Sequence, residues 1–333
     1  MPKALLTGGT GFVGGHVALC LLNDGWSVRV LARDPTRSAG GLLDGVRARL
    51  EIHRGDLESE DGLEGAAAGV DAIVHAAGIL KARSLEDYRE VNVRGTERLL
   101  RAAARSAPSA RLVLVSSQAA AGPTRDGRPV RESDPAAPIS WYGLSKREGE
   151  EAVSRLWPGP WTVLRPGVVF GPGDRGLLAY FRMAATGFVP VPAGRSRVQL
   201  IAVERAALAI ARAAQRPVLT GRIGFLCDPM PVTVRELAEK IAAGAGRPSR
   251  LVRVPDVAVR LLGLIDTLAE RVTGKSRPFN ADKAREILAG DWTCDGRPVD
   301  EALGLPAPRP LDDALRALWG WYRRAGWIGG TPS

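Results

Sequence analysis

The sequence predicts an α/β fold: a doubly wound parallel sheet followed by a smaller, mainly helical C-terminal lobe. Three observations predict it. Residues 1–165 alternate short runs rich in β-branched residues with helical patterns, the signature of β-α-β units. A glycine cluster stands between the first of those runs and the first helical pattern. Beyond Arg165 the Pro and Gly content thickens, and from Thr233 onward helical patterns dominate.

In order, strands are expected at Lys3–Thr7, Ser27–Ala32, Leu50–Arg54, Ala72–His75, 112–116 and 162–165, with helices at Phe12–Asn23, 85–105 and Trp141–Leu156. The run from Leu85 places Tyr88, Val91, Leu99 and Leu100 at near-helical intervals behind Ser84, an N-cap residue type. Residues 166–176 and 190–194 read as loops able to approach a ligand. A helix at 204–215 and a strand at 223–226 return the chain to the sheet. The expected division is therefore residues 1–165, with a returning helix and strand at about 204–228, against a lobe of 166–203 and 229–333. Within the lobe, helices are expected at 233–243, 256–272, Ala281–Leu288 and 311–325. Thr233 and Glu236 have capping-box spacing.

Composition narrows the function. A chain of 333 residues with 45% hydrophobic and 25% charged residues can bury a large core. No apolar run approaches the roughly 20 residues that cross a bilayer. The start runs from Lys3 straight into the glycine cluster without a signal-peptide pattern, so a cytoplasmic protein is expected. The net charge of +10 is carried by scattered residues, nearly all Arg, with no interleaved aromatic stripe; a nucleic-acid partner is not expected. Cys20, Cys227 and Cys294 are odd in number and far apart along the chain, which predicts free thiols. The histidines, His16, His53 and His75, have no close Cys/His spacing, and no metal is expected. Residues 257–272 are apolar on most sides, interrupted by Arg260, Glu270 and Arg271. They read first as a lid or packing helix, and second as a weak contact with an anionic membrane surface.

The segment Gly8-Gly9-Thr10-Gly11-Phe12-Val13-Gly14 follows the first strand and opens the first helix. Its glycines at 8, 11 and 14 allow a tight turn, a close backbone approach to a pyrophosphate, and close packing of helix on strand. The helix N-terminus adds unpaired N–H groups and partial positive charge. This is the Rossmann dinucleotide pattern. At the end of the second strand Arg33 occupies the position that reads the adenosine ribose, with Arg37 near it. A guanidinium there favours NADP, and NAD is the alternative if Asp34 turns inward. Asp56, followed by Leu57, can accept from the adenine amino group or serve as a turn residue. Ala76, Ala77 and Gly78 leave room at the fourth strand's carboxyl edge, and the preceding His75 reads as packing.

Tyr142 and Lys146 stand four apart and share one helix face. A free phenol titrates near 10, so working as a base near pH 7 needs roughly 4 kcal/mol of phenolate stabilisation. A neighbouring ammonium and a positive nicotinamide ring can supply it. Ser116 and Ser117 close the fifth strand and offer a hydroxyl to the reacting oxygen.

Together Thr7–Gly14, Asp56-Leu57, His75–Gly78, residues 91–96 (Val-Asn-Val-Arg-Gly-Thr), Ser116-Ser117, Tyr142–Lys146 and residues 164–167 (Leu-Arg-Pro-Gly) resemble the extended short-chain dehydrogenases/reductases, the NAD-dependent epimerase/dehydratase family. Residues 292–295 and 321–327 resemble the tail of its 3β-hydroxysteroid dehydrogenase-like members. The resemblance implies catalysis by Ser117, Tyr142 and Lys146, with Asn92 ordering the proton-relay helix. Ser117 is preferred to Ser116 because it lies five residues before Gly122. Pro166 and Val168 would lie against the nicotinamide, and a homodimer would form through the helices at 85–105 and Trp141–Leu156.

Departures from the family pattern select among reactions. Gln118-Ala119 replace the Asp-Glu pair of sugar dehydratases, Gly167 and Ala121-Gly122 replace epimerase residues, and residues 202–205 (Ala-Val-Glu-Arg) replace a His-Val-Asp-Asp stretch. The expected reaction is hydride transfer between a secondary alcohol and a ketone on a steroid-, terpenoid- or polyketide-like small molecule. The alternative is nucleotide-sugar epimerisation, with Arg195 or Arg197 on the diphosphate. A cofactor sensor without turnover is disfavoured because Tyr142 and Lys146 are both present.

Overall fold

Runs of small and β-branched residues bounded by glycine turns form seven parallel strands: β1 (Lys3–Thr7), β2 (Ser27–Ala32), β3 (Leu50–Arg54), β4 (Ala72–His75), β5 (Arg111–Val115), β6 (Trp161–Pro166) and β7 (Arg222–Leu226). The structure is a computed structural model that describes residues 1–328 except 35, 37–41, 247–248, 274–276 and 278. The sheet order is β7-β6-β5-β4-β1-β2-β3. The strand order therefore reverses between β1 and β4, the switch point where open α/β sheets bind ligands at their carboxyl edge.

Central strands are apolar on both faces because helices cover both. Ala4, Leu6, Val30, Val74 and Val113 pack beneath the helices Phe12–Asn23 and Val203–Gln215. On the other face Leu5, Ile73, Leu112 and Val163 pack beneath Leu63–Ala67, Gly95–Ser106 and Trp141–Leu156. A third core, including Phe170, Phe181, Leu237, Leu315 and Tyr322, joins the helices Gly176–Thr186, Val234–Gly244 and Leu311–Arg324. The Tyr322 hydroxyl donates to the Asp174 carbonyl at 2.8 Å and ties that core to the turn after the short strand Val168–Phe170, which pairs in parallel with Leu200–Ala202 and interrupts the loop expected at 166–176.

Several expectations need correction. The helix expected at 85–105 is two α-helices, Leu85–Arg89 and Gly95–Ser106, joined by a π-helical turn at Glu90–Arg94. Asn92 sits in that turn, and Thr96 donates its hydroxyl to the Asn92 carbonyl at 2.7 Å, so local side chains remodel the ladder. The expected loop at 190–194 begins inside a strand, Phe188–Pro192, paired in parallel with an unforeseen strand, Arg250–Val254. Prolines fit there because each strand of a two-stranded ribbon keeps one unpaired edge. The helices Gly176–Thr186 and Arg297–Leu303 were also unforeseen. The fifth strand ends at Val115, which leaves both serines beyond it. Cys227 and Cys294, 67 positions apart, meet as buried thiols with sulfurs 3.4 Å apart.

Candidate active site

The carboxyl ends of β1, β4, β5 and β6 converge on one edge, and the chemistry-bearing residues lie in the turns that leave them. After β1, Gly8 has φ +71°, and a Cβ there would fall 2.7 Å from the backbone of Ala76 and Ala77. A Cβ on Gly14 would fall 2.2 Å from the Gly8 carbonyl oxygen. The turn therefore closes against β4 only with glycine at both positions. Gly11 caps the helix Phe12–Asn23 without a side-chain hydrogen bond, and among the described residues the first-turn N–H groups of Phe12, Val13 and Gly14 have no side-chain acceptor. Thr10 and Gly11 form the lip of the turn. An uncapped helix end behind a Cβ-free cradle fits a pyrophosphate.

His75 is buried behind this cradle. Its Nδ1 is 2.6 Å from the Thr7 hydroxyl, which accepts from Ala77 N, and its Nε2 is 2.8 Å from the Thr96 hydroxyl. Thr96 spends its proton on the Asn92 carbonyl, so Nε2 carries the hydrogen and Nδ1 accepts from Thr7. Burial, with help from the Lys146 charge, lowers His75 to about 3. It is a neutral strut rather than an acid or base.

At the adenosine end, Arg33 is exposed, 3.4 Å from Glu58. The Asp34 carboxylate accepts from Thr36 N at 2.9 Å and from its hydroxyl at 2.6 Å. Arg37 lies outside the described residues. Asp56 accepts from Glu58 N at 3.1 Å, the turn-residue arrangement, and Leu57 is buried against Gly95.

The helix that carries the candidate pair Tyr142 and Lys146, Trp141–Leu156, is capped by Ser140, whose hydroxyl accepts from Gly143 N at 3.0 Å. Lys146 is buried, and its Nζ donates to the Val115 carbonyl at 2.8 Å. Its remaining N–H groups make no hydrogen bond among the described residues, and that donor set fits the hydroxyls of a ribose. Desolvation lowers Lys146 to about 8, opposed by the Glu150 carboxylate. The two serines separate clearly. Ser116 donates to Glu150 at 2.5 Å inside a buried Glu150–Arg165 pair, whereas the Ser117 hydroxyl accepts from Ala119 N at 3.1 Å and lies beside the Tyr142 phenol, whose pKa it lowers. Asn92 accepts from Ile79 N at 2.9 Å and donates to Ser145 at 3.0 Å, which ties the exit of β4 to the helix Trp141–Leu156. Gly78 faces Asn92 and Lys146, Pro166 ends β6, and Val168 is 40% exposed at the mouth.

Desolvation pushes Tyr142 up to about 12, Glu286 adds to the rise, and only the Ser117 hydroxyl opposes it. In this environment the phenol is protonated near neutral pH, and the expected lowering rests on the charge of a bound nicotinamide ring. Arg197 departs from expectation: Asp291 holds its guanidinium at 2.8 and 2.6 Å, so it is no spare hand for a diphosphate. Arg195 is exposed.

The sequence reading missed the residues that hold the helix Trp141–Leu156 from the C-terminal lobe. Asp282 accepts from Trp141 N at 3.0 Å, and Glu286 accepts from the Ser140 hydroxyl at 2.5 Å. Their only sequence signal was two carboxylates four apart on Ala281–Leu288. The ring of Tyr88 stands 6.0 Å from that of Tyr142. Leu80 (72% exposed) and Trp141 (36%) add apolar surface nearby.

A sequence model of the NAD dependent epimerase/dehydratase family matches residues 4–223. The ceramide reductase of Caulobacter vibrioides is 36% identical over 332 residues, 97% of this chain and 95% of its own length. The UDP-glucose 4-epimerase of Vibrio cholerae is 28% identical, over 95% of this chain and 94% of its own. Among solved structures, the dTDP-glucose 4,6-dehydratase of Streptomyces venezuelae superposes with a TM-score of 0.79 at 24% identity, covering 98% of both chains; that likeness shows the fold.

Proposed function

The chain belongs to the NAD dependent epimerase/dehydratase family of NAD(P)-dependent extended short-chain dehydrogenases/reductases, and on that premise we propose that it reduces a ketone to a secondary alcohol on an apolar lipid of the ceramide class. The observation that carries the reading is the buried Tyr142 phenol beside Ser117, set four residues before the buried Lys146 ammonium whose Nζ donates to the Val115 carbonyl. Burial keeps the phenol protonated at neutral pH, the form that reduction consumes. Leu80, Trp141 and Val168 favour an apolar substrate, as does the similarity to the Caulobacter enzyme.

Residues of this chain divide the work. The Gly8–Gly14 turn and the open helix end hold the pyrophosphate, and the spare donors of Lys146 hold the ribose hydroxyls. When bound, the reduced nicotinamide supplies the hydride. The Ser117 and Tyr142 hydroxyls take the substrate oxygen; as charge builds there, Tyr142 passes its proton to it and the Lys146 ammonium stabilises the remaining phenolate. Solvent then reprotonates the phenol. Asn92 keeps the helix in register through Ile79 and Ser145.

The proposal extends to NADPH as preferred donor, on the exposed Arg33 and the Asp34 carboxylate held by Thr36; to a cytoplasmic location; and to a homodimer through Gly95–Ser106 and Trp141–Leu156. The Vibrio relative favours epimerisation of a nucleotide sugar as the second reading. The test is to offer a keto-lipid in mixed micelles with NADPH or NADH. Reduction gives a product heavier by two hydrogens and consumes one reduced nicotinamide per ketone. Conversion of UDP-glucose to its 4-epimer without net nicotinamide consumption, and no lipid product, overturns it.

A further inference from the structure

We propose that the outward face of the helix Asp256–Thr273 seats this protein on an anionic lipid bilayer. Val257, Leu261, Leu264, Ile265, Leu268 and Val272 recur at helical spacing on one face, and every one is more than half exposed. The opposite face is the polar one. Gly263 lies against Ala281 and Ala284, Thr267 accepts from Ala281 N at 2.9 Å, and buried Glu270 accepts from Arg277 N at 2.5 Å. A helix washed by water on its outer side shows the reverse pattern. A lid closing over an apolar cleft would also turn its leucines inward, and this helix turns them out.

Charge identifies the occupant. Among the acids from 256 to 286, Glu270, Asp282 and Glu286 are buried and Asp266 pairs with Arg277 at 2.9 Å. Only Asp256, at the helix start, is exposed. The exposed charges nearby are otherwise cationic: Arg253, Arg260, Lys283 and Arg285. Arg253 and Arg260 form no ion pair among the described residues. An apolar stripe flanked by cations matches an anionic membrane surface. A second copy of the chain would bring the same positive rim against itself. Among the described residues no helix is long and apolar enough to cross a membrane, so the helix lies in the surface plane. Its neighbour Ala281–Leu288 holds the N-terminus of the helix Trp141–Leu156 through Asp282 and Glu286, which links the docked helix to the Tyr142 end of the cleft.

This inference goes beyond the proposed reduction and does not depend on it, so the test uses neither substrate nor cofactor. The full chain is floated with vesicles of phosphatidylcholine, alone or with about a quarter phosphatidylglycerol, at low and high salt. Binding to the anionic vesicles, weakened by salt, is expected. Leu264→Glu with Leu268→Glu should weaken it by about tenfold or more. Arg253→Glu with Arg260→Glu, which keeps the apolar face, should reduce it to the level seen on neutral vesicles. Far-ultraviolet circular dichroism and melting should match wild type in both variants, because the altered side chains are exposed. Absence of flotation with either vesicle, or equal flotation of both variants, overturns the proposal. So does a lipid-free dimer that the leucine substitutions dissociate, which would give this face to a second copy.

Discussion

The helices Trp141–Leu156 and Asp256–Thr273 each bury a glutamate, yet they present opposite chemistry to the outside. The first turns Lys146 and Glu150 inward and covers its outer side with ion pairs, Arg147–Glu151, Arg89–Glu148 and Arg155–Glu97. The second uses Glu270 and Thr267 to fasten a hairpin and leaves its leucines outside. The contrast teaches that buried polar groups do not reveal a helix's purpose; the side it leaves exposed does. The first must hold chemistry steady behind a polar face. Among the described residues nothing covers the second, and the short helix Ala281–Leu288 links the two.

Breaking the buried pair on the catalytic helix has the largest expected effect. Arg165→Leu strands Glu150 and Ser116 and should lower stability by about 3–5 kcal/mol, read by urea unfolding. Leu264→Glu on the second helix should leave the unfolding midpoint near wild type; a comparable loss there would erase the contrast. Next, Lys146→Met should cut kcat/KM on the order of a hundredfold. Because burial holds Lys146 at about 8, its ammonium is lost as pH rises through that value. In wild type kcat/KM for the nicotinamide cofactor should therefore fall above pH 8, and Lys146→Arg should flatten that limb.

A smaller effect tests the link between the helices. The Glu286 carboxylate raises the Tyr142 phenol, so in the Lys146→Arg background, where the limb near pH 8 is gone, adding Glu286→Gln should move the remaining alkaline limb of reduction to lower pH, while kcat at neutral pH stays within about threefold. An unmoved limb in that background would show that the lobe does not reach the phenol. The smallest effect is at the adenosine end. Arg33→Asp should reduce the NADPH-to-NADH preference by about tenfold, with kcat nearly unchanged. Equal preference before and after would remove Arg33 from the cofactor site.

What the sequence disclosed and what it hid follow from distance along the chain. The glycine turn, the strand ends and the Tyr142–Lys146 spacing are local, and contiguous residues record them. Ser116 and Ser117 were indistinguishable by chemistry until the fold sent one to Glu150 and the other to Tyr142. Asp282 and Glu286 reach Trp141 and Ser140 across 141 and 146 positions, and Arg197 reaches Asp291 across 94; no spacing rule reports such pairs. Periodicity revealed an apolar face on residues 257–272, but which face looks outward depends on the packing of Gly263 against Ala284. The direction of the phenol's shift was likewise hidden, because desolvation is a property of the assembled cleft.

The most direct measurement compares wild type with Tyr142→Phe for kcat/KM of NADPH-driven lipid-ketone reduction, alongside cofactor affinity by fluorescence. A loss on the order of a thousandfold with unchanged affinity is predicted, since only the transferable proton is removed. Activity within about threefold of wild type would contradict the assignment of Tyr142 as proton donor.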